Sequence, residues 1–107
     1  MKTLTILTLA LFIVSNSHAD LPTSAEWLGA TEAFFDRCEE LDPAQAAKYR
    51  GHLDALVERS MEPAERAELR RTAEYESSYR TVLDDLGKAP KALVASEGCP
   101  TLFELHR

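Results

Sequence analysis

Apolar residues between Leu21 and Leu105 recur at three- and four-residue spacing and nowhere alternate over five or more positions. That pattern offers helix faces and no half-buried strand. Proline and charged residues divide the pattern into segments. The first helix is predicted from about Ser24 to Leu41. Thr23 and Glu26 stand three apart, the spacing of a capping box, and Leu21 precedes them as a staple residue. Trp27, Leu28, Thr31, Phe34, Phe35, Cys38 and Leu41 share one stripe at 100° per residue. Asp42-Pro43 ends this helix, because a residue before proline resists the α region.

A second helix is expected to start at once, with Asp42 as N-cap and Pro43 as first helical residue. Ala46, Tyr49, Leu53, Leu56, Val57 and Ser60 line its apolar face. Gly51 lies inside it, where glycine weakens a helix by ~1 kcal/mol unless another helix comes close. A third helix is predicted from Pro63 to Leu86, stopped by Gly87, with Leu69, Thr72, Tyr75, Tyr79, Val82, Leu83 and Leu86 on one stripe. Its first half has only Leu69 as a large apolar residue before Tyr75, so weak docking is expected there. Four opposite-charge pairs four residues apart should line it: Glu62–Arg66, Arg70–Glu74, Glu76–Arg80 and Arg80–Asp84. A short fourth helix should run from Lys91 to Ser96, stopped by Gly98, and the apolar tail Leu102, Phe103 and Leu105 should fold back on the bundle. The expected fold is a single all-α antiparallel bundle, three main helices plus a short fourth.

Residues 1–19 are expected to lie outside that domain. Lys2 followed by the apolar run Leu4–Val14 and by Ser17-His18-Ala19 reads as a cleaved export signal, too short to span a bilayer. Removing 19 of the 107 residues leaves 88, the domain 20–107. Lys2 leaves with the signal, so 11 basic residues face 18 acidic ones, a net of −7. Such a balance argues against a nucleic-acid partner, which needs a clustered basic surface. No membrane contact is expected after cleavage.

A domain this small buries only about 60–65% of its unfolded surface and gains much from a covalent tie. Cys38 and Cys99 are the two cysteines of an exported chain, and antiparallel helices would bring both to the same end. A disulfide between them, closing ~62 residues, is predicted to stabilise by ~4 kcal/mol in the chain-entropy model.

Few residues suggest chemistry. Asp36, Glu39, Glu40 and Asp42 crowd the corner between the first two helices, but lack the glycine and ligand spacing of a calcium loop. His52, with Asp54 and Glu58 nearby, falls on the edge of its helix stripe and reads as a boundary residue. Trp27, Phe34, Phe35, Tyr75 and Tyr79 read as core by their spacing. Arg66, Arg70 and Arg71, with Glu74, make a small mixed-charge spot that could face a partner. No nucleophile elbow, phosphate-cradling glycine loop or Cys-x-x-Cys is present. No cofactor or metal is expected, and no enzyme. The expectation is an exported monomer or homodimer that binds another protein, of inhibitor or immunity type. Two alternatives stay open: an acid-stress periplasmic chaperone, in which the thinly docked first half of the third helix loosens below about pH 4, or a small-molecule or metal binder with a site between helices.

Overall fold

A computed structural model describes residues 23–105. The expected export signal at residues 1–19, Leu21 and His106 lie outside them. The described chain is all helical, an α-bundle tied by one disulfide.

Helix α1 spans Ser24–Leu41, as the sequence requires. Its capping box is formed: Thr23 Oγ1 accepts from the Glu26 amide at 3.2 Å, and Glu26 Oε1 accepts from the Thr23 amide at 3.0 Å. The next helix does not start as expected. Pro43–Gln45 form a single 3-10 turn, and α2 runs Ala46–Glu58. The Asp42 side chain caps nothing; its backbone carbonyl takes the Gln45 amide at 3.0 Å instead. The residue before a proline is kept out of the α region, and here the tight turn satisfies the first amides without a side chain.

The predicted third helix is two helices, α3 (Pro63–Leu69) and α4 (Ala73–Lys88). Thr72 makes the break. Its backbone is extended, its Oγ1 donates to the Leu69 carbonyl at 2.7 Å, and the same oxygen accepts from the Tyr75 amide at 3.2 Å. One hydroxyl therefore closes α3 and caps α4, with Glu74 and Glu76 favourably placed in the first turn. Beyond Pro90 the chain is helical further than expected. Lys91–Leu93 (α5) pass into five residues of π geometry, Val94–Gly98, then Cys99–Thr101 (α6) and a 3-10 turn, Leu102–Glu104. Gly98 does not stop the helix; it keeps right-handed backbone and lies under the Phe34 ring. Widening to i→i+5 bonding relieves the clash that Pro100 would cause in a regular α-helix.

Helix α1 is the axis of the molecule. One face of it, Leu28, Phe35 and Cys38, meets Tyr49, Leu53, Leu56 and Val57 of α2 and Val94, Cys99 and Leu102 of the C-terminal segment. These ten residues are the buried core, and Cys38 and Cys99 bond within it, their Cα atoms 5.7 Å apart. The tail folds back in part: Leu102 is buried and the Phe103 ring stacks on Tyr49 at 4.6 Å between centroids, but Leu105, expected to pack as well, is 40% exposed.

Helix α4 packs on a different flank of α1, and the means are different. Ala25, Gly29 and Ala33 recur every four residues and make a smooth strip. A Cβ at Gly29 would collide with the Tyr75 carbonyl and come within 3.1 Å of the Tyr79 amide and 3.2 Å of the Ser78 Cβ. Neither α3 nor α4 contributes a fully buried residue. Gly51 meets nothing within 4 Å, so it serves no close helix approach.

Candidate functional site

Glu32 stands between Leu28 and Phe35 on α1, and only 3% of it is exposed. A lone buried carboxylate is costly unless charged donors surround it. Here three side chains supply five hydrogen bonds. Arg66 of α3 donates from Nε at 2.9 Å and from Nη2 at 2.6 Å. Arg70, in the α3–α4 connection, donates from Nε at 2.9 Å and from Nη2 at 2.5 Å. The Tyr75 hydroxyl of α4 donates at 2.5 Å. Arg66 also reaches Asp54 of α2 from Nη1 at 3.1 Å. The Thr72 break is what lets this happen, since it ends α3 and turns the chain so that residues 66, 70 and 75 all face one oxygen pair.

One turn further along α1, Asp36 repeats the pattern. It accepts from the Tyr79 hydroxyl at 2.5 Å and from Arg50 Nη2 of α2 at 3.3 Å, while Arg50 also bonds Glu39 at 3.1 Å. Tyr75 and Tyr79 stack at 5.9 Å. Glu32, Asp36, Arg50, Arg70, Tyr75 and Tyr79, with Arg80 and Leu83, line an open cleft of about 590 Å³ between α1, α2 and α4.

The electrostatics strengthen the charges already present at neutral pH. Burial pushes the Glu32 carboxyl up, but the hydrogen bonds from Arg70, Tyr75 and Arg66 outweigh it and hold the group below the usual carboxylate range. Burial, then bonding to Glu32, drives the Tyr75 phenol far above its ordinary value, and Tyr79 rises for the same reasons beside Asp36. The hydrogen bond to Glu32 raises Arg70 against the opposing effect of burial. At neutral pH these side chains are one carboxylate, two phenol donors and a guanidinium.

The residues singled out from sequence are thus redistributed. Cys38 and Cys99 are joined. Of the mixed-charge spot, Arg66 and Arg70 point inward to Glu32, with side chains 15% and 44% exposed, and Arg71 and Glu74 lie on the surface away from them. Of the four expected intrahelical pairs only Glu76–Arg80 forms, at 2.6 Å, because the buried carboxylate takes Arg66 and Arg70. Tyr75 and Tyr79 are half-buried and polar-bonded rather than core; Phe35 is buried, and Trp27 and Phe34 pack at the core's rim. His52 is the boundary residue expected: its ring stacks on Phe35 at 6.1 Å, and its Nε2 lies 3.2 Å from the Leu105 carbonyl oxygen. The acidic corner is divided, Asp36 and Glu39 on Arg50 and Glu40 3.8 Å from Arg37. Among the described residues no three His, Cys, Asp or Glu side chains are grouped to hold a metal, and no helix is long and apolar enough to cross a membrane.

Glu32 was missed from sequence. Its signal was present: a carboxylate in phase with Leu28 and Phe35, on the inner stripe of an otherwise apolar face. Its partners lie 34 to 43 residues away, beyond the reach of local spacing. No family model, curated protein or solved structure matches the chain.

Proposed function

We propose that the chain is an exported helical protein that binds another protein, of the inhibitor or immunity type, and performs no chemistry itself. The observation that carries this reading is the cleft. It presents two stacked tyrosines beside three arginines, Arg50, Arg70 and Arg80. Tyrosine and arginine supply much of the binding energy at protein interfaces. Here most of them are held in place by their own hydrogen bonds, so little ordering remains to oppose binding. The shifts at Glu32, Tyr75, Tyr79 and Arg70 all move away from neutrality, which suits recognition and does not suit proton transfer. The Ser17-x-Ala19 site and the disulfide support export to the periplasm or beyond. A net charge of −7 on residues 20–107 favours a basic partner surface.

The test uses Arg80, whose side chain is 73% exposed and bonds only the exposed Glu76, so its removal leaves the fold intact. A partner captured by the folded protein at pH 7 should bind Arg80→Ala about tenfold or more weakly, as expected for loss of an interface arginine. Equal affinity for wild type and Arg80→Ala would contradict a partner in this cleft. The chaperone alternative is favoured by a separate observation, the way α3 and α4 are attached.

A further inference from the structure

The ten-residue core is built from α1, α2 and the C-terminal segment, and takes nothing from the arm Pro63–Lys88. Leu69, Tyr75 and Leu86 touch its edge while only partly buried. Helix α4 lies close along Ala25, Gly29 and Ala33, and the side-chain bonds that fasten the arm are polar. Arg66, Arg70 and Tyr75 bond Glu32, Tyr79 bonds Asp36, and the Ser78 hydroxyl donates to the Glu26 carbonyl at 2.7 Å. Beside the close packing of α4 along Ala25, Gly29 and Ala33, the apolar edge contacts and the Ser78 bond, the charged attachment of the arm to α1 runs through two carboxylates one turn apart.

Every packed element presents charged or titratable groups around them. Helix α1 itself presents Arg37, Glu39 and Glu40; α2 presents Arg50, Asp54 and Glu58; α3 presents Arg66; the connection presents Arg70; α4 presents Tyr75, Glu76, Tyr79 and Arg80. Strong acid removes the charge of Glu32, while the phenols stay as they are and the guanidinium groups keep their charge. Arg66 and Arg70 are then left together around a carboxyl that no longer carries charge. The core holds no comparable charge, and its disulfide does not titrate.

We propose that Glu32 and Asp36 form an acid-released clasp: in strong acid the arm Pro63–Lys88 lets go of α1 while α1, α2 and the C-terminal segment stay folded around the Cys38–Cys99 bond. Release uncovers Val57 and Met61, which line a cavity of about 120 Å³ beneath α3, and frees the half-buried Leu69, Val82 and Leu86 of the arm itself. The protein thus gains apolar surface in acid without unfolding, as a protective chaperone would require. The clasp is independent of any partner in the cleft at neutral pH, so either idea can fail alone.

Hydrogen exchange read by mass spectrometry on the full exported protein, corrected for the intrinsic effect of pH, separates the two parts of the molecule. Between pH 7 and pH 3, amides of residues 63–88 should lose protection about tenfold or more, and those of 46–58 less than about twofold. Glu32→Gln, which keeps the shape and removes the charge, should open the arm already at pH 7 and shrink its response to acid. Loss of protection in both parts at one common pH, or an arm still protected at pH 3, would overturn the clasp. Should Glu32→Gln fail to fold, the wild-type comparison of arm against α2 decides alone.

Discussion

Cys38→Ser should lower the stability of the oxidised protein by ~2–4 kcal/mol. Two costs add. The bond joins residues 61 apart in sequence, and opening it returns that loop's freedom to the unfolded chain, worth up to ~4 kcal/mol in the entropy model. The site is also fully buried among Leu28, Phe35 and Leu102, so a serine hydroxyl would enter the core with no partner in place of sulfur. A domain of this size has only ~5–10 kcal/mol in hand, so the variant should be near unfolding at body temperature. Urea denaturation of wild type and variant measures the difference. A midpoint shift worth less than ~0.5 kcal/mol would mean that the bond is incidental to the fold.

The second large effect concerns one substitution made at two glycines. Gly29→Ala should destabilise by ~1–3 kcal/mol, the usual cost of overpacking, because the new methyl group would meet the backbone of α4 rather than a movable side chain. The Tyr75 carbonyl and the Tyr79 amide cannot yield unless the whole helix shifts, and such a shift would loosen the bonds of both tyrosines to α1. Gly51→Ala should do the opposite. Its Cβ enters open space in the middle of α2, with ordinary helical backbone, so alanine should stabilise by ~0.5–1 kcal/mol. Thermal unfolding of the two variants checks the pair. A Gly29→Ala that is neutral or stabilising, like Gly51→Ala, would show that α1 and α4 are not in backbone contact.

Much of the fold could be read locally. Thr23 with Glu26 fixed the start of α1, Asp42-Pro43 fixed its end, and the antiparallel order of the helices led to the disulfide. These signals act within a few residues, or through the simple topology of short connections. The errors arose where two local signals competed. Thr72 fits the helical stripe, and periodicity could not show that its hydroxyl would instead cap a new helix. Gly51 and Gly29 look alike in sequence; which of them faces a neighbouring backbone depends on the placement of α4. The arginines near Glu62 and Glu74 had suitable partners four residues away, yet Arg66 and Arg70 went to Glu32. A carboxylate removed from water binds a guanidinium more strongly than one in solvent does. Long-range electrostatics of that kind decided the site, and no spacing rule reports it.

Glu32 is where these strands meet, and its titration follows from its surroundings. Because the folded carboxyl is held below the unfolded glutamate value near ~4.3, it adds stability above that pH. The contribution falls away as pH drops through the folded value, in the range where the arm is expected to release. A carbon-detected NMR titration of the Glu32 side-chain carboxyl in the folded protein measures this directly. The structure requires a midpoint below ~4.3, with the Arg66 and Arg70 guanidinium signals shifting over the same range. A midpoint at or above ~4.3 would mean that burial outweighs the two arginines and Tyr75, and that the carboxylate at the centre of the molecule is not the anchor of α3 and α4.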